Sequence, residues 1–546
     1  MAAMLEAVVH SDYAEPVLVV LNASISREAP QRSWLVRTIA EHRTLLYKVY
    51  WLIEERLYKV HPDALEFKNV ETLFAGVPRL QIEPRQTAFS DYVSEEDLDA
   101  IRSYRTDVLI RLGFRILRGK IFQIPRFGVW SYHHGDTAVN RGGPPAFWET
   151  IEKSQTVGCV LQRLTEDLDQ GIVLTQSHGP AYSPSVNWNR NYLFWKSTGF
   201  IPRQLRELHR IGGTRFFRRH RPKARRLAFY CNRLYRIPTN AEAFRCISKM
   251  LYRHIRYRII QRLFKEQWIL LTHVGKKPST MLLKFQKLVP PKDRFWADPH
   301  LVQRGDAHYI FFEEFDYAKR RGHIAAAKLD GQGRITESRI ILEAPYHLSY
   351  PSTFEHDGEL YMIPESGANR TVDLYRCKDF PYQWEFVMHL MEGVSAYDTT
   401  LFRYLNRWWL FAAVQEREGC SPWDELCLFY ASNMFSGKWT PHPLNPVVSD
   451  IRSARPAGRL FWEDGSWIRP AQDCSRRYGY RIVFNRITLL NTKEYEEKTV
   501  GAITPGWDKR IRNIHTFNRQ DGLTVIDGMT CKFRWFYRIK KNIKAV

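Results

Sequence analysis

The sequence predicts an α/β Rossmann-like domain followed by an all-β five-bladed β-propeller, joined by a basic helical connector. Three observations predict it. Strand and helix patterns alternate through residues 17–200, short aromatic-rich strands recur every ~50 residues through 267–531, and positive charge gathers between the two. The length agrees: a single core stops growing at roughly 250 to 300 residues, and the chain has 546.

In the first region, VLVVLNAS is a short apolar run ending in a polar turn, and TLLYKVYWLIEERLYKV has helical spacing. SEEDLDAIRSY opens with Ser94 as a helix N-cap and acids in the first turn, and leads into the buried-strand pattern DVLIRLGF. The alternation predicts a mostly parallel sheet with helices on both faces over residues 1–200. Neither GxGxxG nor a P-loop is present, so ordinary dinucleotide or ATP binding is not supported.

The net charge of +23 is uneven: residues 201–266 hold 19 Lys and Arg against 3 Asp and Glu. This connector, which includes FFRRHRPKARR, becomes helical from Phe244, with Ile247, Leu251, Ile255, Ile259 and Leu263 spaced by four and arginines between them. A helix packed across a domain junction with its arginines in water satisfies that pattern; so does peripheral contact with an anionic membrane or a lipid-linked sugar. A basic segment lacking an RNA-binding fold does not argue for nucleic acid. No run of about 18 apolar residues occurs, and the N-terminus lacks the basic start of a signal peptide, so the expectation is a cytoplasmic protein, peripheral at most to the inner face of the membrane. The eight cysteines form no CxxC pair or zinc-ligand spacing, which predicts reduced packing residues and no metal.

From 267 to 531 five segments align: FWADPHLVQRGDAHYIFFEEF, YPSTFEHDGELYMIPES, YDTTLFRYLNRWWLFAAVQE, RPAGRLFWEDGSWIRPAQD and HTFNRQDGLTVIDG. Each runs from a small polar motif through a strand, a turn and a second strand. The anchors Asp298, Pro351, Asp398, Arg455 and His515 lie 53, 47, 57 and 60 residues apart and are expected to converge on one polar pocket. Residues 532–546 are a basic tail.

The stretch VWSYHHGDTAVNRGGPPAFW, followed by TVGCVLQRLTEDLDQGIVL, carries a strand, then Ser-Tyr-His, then Arg-Gly, then Leu-Asp-x-Gly. Over residues 75–185 this resembles the catalytic domain of the folate-dependent formyltransferases. The resemblance implies 10-formyltetrahydrofolate as cofactor, His133 for proton transfer and Asp169 to orient it. Counting back from Arg141-Gly142 selects His133 over His134, and Ser131 stands where the family has asparagine, the oxyanion donor. The folate pocket would be RLGFRILRGK, with Gly113, Phe114, Ile116 and Leu117, although the last two serve equally as sheet core. The loop also departs from the family, with GDTAV replacing Ser-Leu-Leu-Pro, and Asp136 within it is a candidate contact for a substrate amine or hydroxyl.

FWADPHL resembles the start of arabinanase-like and invertase-like propellers, which implies Asp298 as base or nucleophile and Asp398 as its supporting aspartate. Their general acid is a glutamate from a later blade; here SARPAG supplies Arg452 and Arg455, which argues against ordinary hydrolysis and suits an anionic group. Glu365 is the substitute acid, with Glu313, Glu314 and Asp473 as weaker candidates. YHLSYPSTFEHDGELYMIPE, SAYDTTLF and SARPAGR also resemble the N-terminal domain of glucosamine inositolphosphorylceramide transferases. Together these resemblances imply formyl transfer to the amine of a nucleotide- or lipid-linked amino sugar during surface polysaccharide or glycolipid synthesis, the propeller binding the glycan. The alternatives are a glycosidase or glycosyltransferase centred on the propeller, and a glycan-binding protein whose formyltransferase domain is a scaffold.

Overall fold

The computed structural model describes residues 1–25, 42–166, 171–181, 185–220, 230, 232–275, 281–506 and 508–534. Asp169 and much of FFRRHRPKARR lie outside the described residues. The chain divides into two compact units, Met1–Arg253 and His254–Val546.

The first unit is mixed α/β. Its strands are β1 (Val19–Asn22), β2 (Arg79–Ile82), β3 (Arg85–Gln86), β4 (Ser90–Tyr92), β5 (Leu109–Arg111), β6 (Ile116–Arg118), β7 (Val129–His133), β8 (Thr156–Arg163) and β9 (Ile172–Pro180). The pairs β1–β2, β4–β6 and β5–β7 are parallel, but β3–β4, β7–β8 and β8–β9 are antiparallel, so among the described residues the expected mostly parallel sheet is corrected to three small sheets, one parallel and two of mixed direction. Between β8 and β9 the chain is too short for the crossover of a dozen or more residues that a parallel pair needs. Ser94 caps its helix as expected, its hydroxyl accepting from the Asp97 amide at 3.1 Å.

Alternation along β7 positions the motif. Trp130 and Tyr132 enter a core with Val157, Cys159 and Leu161 of β8, which turns Ser131 and His133 to the other face. Part of the expected connector builds that core: the helices Phe200–Ile211 and Gly213–His220 supply Phe200, Ile201, Leu208 and Phe216. Their arginines face outward while their aromatic stripe is buried, a distinction that net charge conceals.

Past the end of the helix Asn240–Leu263, the described residues of the second unit form five antiparallel sheets. Sheet I is β12 (Arg294–Arg304), β13 (Ala307–Asp316), β14 (Arg321–Leu329) and β15 (Ile335–Leu342); sheet II is β16 (Ser349–His356), β17 (Glu359–Ser366), β18 (Thr371–Asp379) and β19 (Gln383–Glu392). Sheet III is β20 (Ala396–Tyr404), β21 (Arg407–Val414), β22 (Leu426–Ala431) and β23 (Thr440–Pro441); sheet IV is β24 (Phe461–Glu463), β25 (Ser466–Asp473), β26 (Arg481–Leu490) and β27 (Tyr495–Ile503). Sheet V joins β28 (Ile511–Asn513), β29 (Phe517–Gln520) and β30 (Leu523–Phe533) to the earlier strands β10 (Phe264–Val274) and β11 (Gln286–Leu288). Because β10 pairs with β30 along its whole length, the last sheet is built from both ends of the repeat array. First strands neighbour one another, β12 beside β16 and β29, and β16 beside β20, an arrangement consistent with a propeller.

Sheets I, II and III share one irregularity. The ladder skips residues between Ala297 and His300, between Ser349 and Ser352, and between Tyr397 and Thr400. At each skip a residue takes positive φ: Asp298 at 52°, Tyr350 at 42° and Asp398 at 50°. Such bulges re-aim a side chain at about 1–3 kcal/mol of backbone strain each.

Gly458, at φ +125°, passes so close to sheet V that a Cβ would overlap the Phe517 carbonyl oxygen. Gly458→Ala is therefore expected to destabilise the chain by about 2–4 kcal/mol in urea unfolding followed by tryptophan fluorescence. An unchanged midpoint would show that the backbones can separate there without cost.

Candidate functional site

In the first unit, Ser131 and His133 face Gln162 and Val160 across the β7–β8 ladder. His133 Nε2 donates to the Asn140 carbonyl at 3.0 Å, which places a proton on Nε2. Asn140 begins the Asn-Arg-Gly-Gly turn, which is clasped by a distant segment: the Tyr235 amide donates to the Arg141 carbonyl at 2.9 Å, and the Gly143 amide to the Tyr235 carbonyl at 3.2 Å. Gly142 has φ +108°, and a Cβ there would overlap the Tyr235 carbonyl, so this approach requires glycine.

The other motif residues divide by their partners. The Ser131 hydroxyl accepts from Arg111 Nε at 2.9 Å and donates to the Tyr132 carbonyl at 3.3 Å, so the expected oxyanion donor is engaged inside the sheet. His134 stacks on Phe194 at 4.1 Å, and burial, aided by neighbouring His133, pushes its pKa down to about 3; it is a neutral packing residue. Asp136 accepts from the Ala138 amide at 2.9 Å and lies 3.0 Å from His178 Nε2, which makes it a turn former held to β9. Sequence reading missed Arg111 and the buried Glu149, whose carboxyl burial pushes up while the Asn140 side chain opposes. Neither carries a motif signal; both become visible only when β5, β7 and the turn are assembled.

A cavity of about 1150 Å³ lies beside β5 and the start of β7; Ser131 and His133 are not among its described lining residues. Gly113, Phe114 and Leu117 line it with Arg111 and Val129; Ile116 is not among its described lining residues. A Cβ on Gly113 would meet nothing within 4 Å. Three of the four residues expected at the folate pocket thus border a space that fits a drug-sized heterocycle.

In the second unit the anchors converge as a buried charged knot. Asp398 accepts from Arg455 Nε, from the second Arg455 amine at 3.0 Å and from Gln472 Nε2 at 2.6 Å. Glu365 accepts from Arg455 at 3.2 Å and from the Asp398 amide at 3.1 Å. Asp298 Oδ1 accepts from Thr516 at 2.7 Å and lies 3.3 Å from His515 Nε2, while His515 Nδ1 lies 2.6 Å from Asp527. Asp527 also accepts the amides of Asp298, His515 and Thr516, tying sheets I and V together. No group of this knot is more than 9% exposed. Aromatic rings border it: Trp268 lies 4.2 Å from His515, and Arg455 lies 5.2 Å from Tyr478 and 5.5 Å from Tyr397.

The remaining expectations are placed as follows. Pro351 carries no polar group, but its neighbour Tyr350 accepts the Gly458 amide at 2.7 Å and bonds Thr400 at 2.8 Å. Arg452 is exposed and pairs with Asp450, two residues away, so it stands apart from the knot. Glu314 is bound to Trp296, Arg294 and His323, and Asp473 to Arg481. Glu313 belongs with the knot: burial and then the Asp298 charge hold its carboxyl well above the usual range, and His347 is 3.5 Å away. Asp527, Gln472 and Thr516 were missed, although the aligned segments end in FFEEF, IPES, PAQD and VIDG, a recurring acid or amide on the second strand.

The knot's electrostatics follow from burial. Burial, partly opposed by His515, pushes Asp298 up to about 6, and burial and Asp398 hold Glu365 well above the carboxylate range despite Arg455. Burial disfavours charge on His515, but Asp527 and Asp298 outweigh it and push its pKa up to about 9. Three residues, Asp298, His515 and Asp527, bring ligand atoms within 4.8 Å of one another, as a metal ion would require, but a cationic His515 between two carboxylates satisfies the same geometry.

Comparison with known proteins adds the following. Residues 286–528 match the family described as glucosamine inositolphosphorylceramide transferase 1, N-terminal. The chain is 38% identical over 209 residues to glucosamine inositolphosphorylceramide transferase 1 of Oryza sativa subsp. japonica, covering 38% of this chain and 28% of the rice protein. It thus spans less than a third of that relative's length. Its N-terminal part is similar to methionyl-tRNA formyltransferase of Parabacteroides distasonis, 30% identical over 105 residues, 19% of this chain and 30% of that protein. Among solved structures, a family 117 glycoside hydrolase of Zobellia galactanivorans aligns over 49% of this chain and 90% of its own at 11% identity, with a TM-score of 0.33. Both resemblances read from the sequence are present in these matches.

Because its folded-state pKa of about 9 exceeds the ordinary 6.5, His515 contributes stability that is fully present below pH 6.5 and lost as pH rises through 9. The stability difference between the native chain and His515→Gln is expected to shrink by about 1–3 kcal/mol over that window in paired urea titrations. A difference independent of pH would contradict a charged His515.

Proposed function

We propose that the first unit transfers a formyl group from 10-formyltetrahydrofolate to the amine of an amino sugar, nucleotide- or lipid-linked, and that the second unit is a five-bladed propeller holding the carbohydrate. The observation that carries the reading is His133, fixed on the end of β7 by the clasped Asn-Arg-Gly-Gly turn, in a unit that also holds a cavity lined by Gly113, Phe114 and Leu117. The folate would supply the activated one-carbon group, and those three residues would hold its ring. His133 takes up the proton that the attacking amine must lose, its Nε2 proton held by the Asn140 carbonyl. Arg111, bonded to Ser131, brings a fixed positive charge to the same sheet edge.

The knot supports a holding role for the propeller over hydrolysis. Hydrolysis needs one carboxyl free to protonate a leaving oxygen and a second free to act opposite it. Here Arg455 binds both Asp398 and Glu365, and Thr516 and His515 engage Asp298. The rim of Trp268, Tyr397 and Tyr478 offers flat apolar faces of the kind sugars stack on. Amino-sugar and glycolipid chemistry also fits the named activity of the relatives that match this unit.

Purified chain incubated with 10-formyltetrahydrofolate and a panel of nucleotide-linked amino sugars is expected to release tetrahydrofolate, with His133→Ala lowering the rate by about 10²–10⁴-fold. Absence of turnover with every acceptor, or a rate untouched by His133→Ala, would reject formyl transfer. Sugar release that survives His133→Ala and is abolished by Asp298→Ala would make the propeller the active part instead.

A further inference from the structure

Two helices of this protein carry amphipathic patterns turned outward. In the helix Leu45–Leu57, Leu45, Val49, Leu52, Ile53 and Leu57 recur at helical spacing and are between 43% and 71% exposed, whereas Glu54 is 3% exposed and accepts the Asn187 amide. A helix facing water buries the apolar stripe and exposes the carboxylate; this one does the reverse.

The helix Asn240–Leu263 adjoins it. The Asn240 side chain bonds the Leu46 amide and the His42 carbonyl, and Tyr50 meets Met250 at 3.5 Å. Its inward face is Ala243, Cys246 and Met250, not the stripe expected from the sequence. Of that stripe only Ile247 is half-buried; Leu251, Ile255, Ile259 and Leu263 are between 42% and 58% exposed, and Phe244 and Tyr252 are each 65% exposed. At ~100° per residue these six exposed side chains occupy one arc of about 120°, bordered by Arg258 on one side and by Arg245, Lys249 and Arg256 on the other, with Arg262 inside it. The only acid in the helix, Glu242, is paired with Arg236.

We propose that these two helices dock the protein on an anionic phospholipid surface, their apolar faces entering the headgroup boundary and the arginines meeting lipid phosphates. Basic residues flanking a broad apolar arc are complementary to a surface that is apolar beneath and negative above. A second copy of the chain would set the same arginines against one another, in a protein whose net charge is already +23. No described helix is long and apolar enough to cross a membrane, so contact would be along the surface. The proposal is independent of formyl transfer, since none of these residues belongs to the His133 site or the knot.

The test is flotation of the full-length chain with phosphatidylcholine vesicles, with and without a one-third share of phosphatidylglycerol. Binding is expected only with the anionic lipid and is expected to weaken with salt. Ile255→Glu with Ile259→Glu, and separately Leu52→Glu with Ile53→Glu, should each weaken it by at least about tenfold. Arg256→Ala, Arg258→Ala and Arg262→Ala combined should weaken it on the order of 100-fold, and these exposed positions leave thermal unfolding unchanged. Failure of the native chain to bind, or binding equal in all variants, would overturn the proposal. So would a concentration-dependent dimer in analytical ultracentrifugation that the same variants abolish, because the faces would then belong to a second copy.

Discussion

The second unit depends on one interaction above all, the seating of Arg455 between Asp398 and Glu365. Sheets I, II, III and V bring carboxylates to one place, and like charges removed from water repel strongly. Arg455 neutralises two of them, and His515 does the same for Asp298 and Asp527. The strain at Asp298, Tyr350 and Asp398 is tolerable because each re-aimed side chain finds a partner: Thr516, the Gly458 amide and Arg455. Removing one cation would leave buried carboxylates uncompensated, and the sheets they join would separate or admit water.

The same interaction decides what chemistry the unit can perform. A carboxylate already bonded to a guanidinium is a poor nucleophile, and Asp398 is held in that state by Arg455 and Gln472. The first unit is organised in the opposite way. There the clasp of residues 140–143 by Tyr235 leaves His133 half-buried at a strand end.

Much of this was legible in the sequence. The repeat spacing grouped Asp298, Asp398, Arg455 and His515, which the fold brings together because each sheet reuses one backbone pattern and a repeat converts distant positions into neighbours. Arg452 was misplaced because two arginines three residues apart look equivalent until the irregular approach to sheet IV turns one inward and leaves the other to Asp450. Asp527 and Gln472 carry no such signal on the first strands, because their polar groups sit on later strands of their sheets. In the first unit, parallel pairing was expected from strand and helix alternation, but connection length overrides alternation where β8 returns directly as β9. The helical stripe at 247–263 was recognised as amphipathic, yet period alone cannot say which of two faces is buried. The choice was made by Cys246 and Met250 fitting against Tyr50 and Trp148.

The account rests on Arg455 and Asp398 acting as a coupled buried pair, and a double-mutant cycle measures that directly. Arg455→Met and Asp398→Asn, alone and together, would be compared by urea unfolding. Each single change is expected to cost about 3–5 kcal/mol, the double change little more than either, giving a coupling energy above about 2 kcal/mol. Additive losses with no coupling would contradict the account.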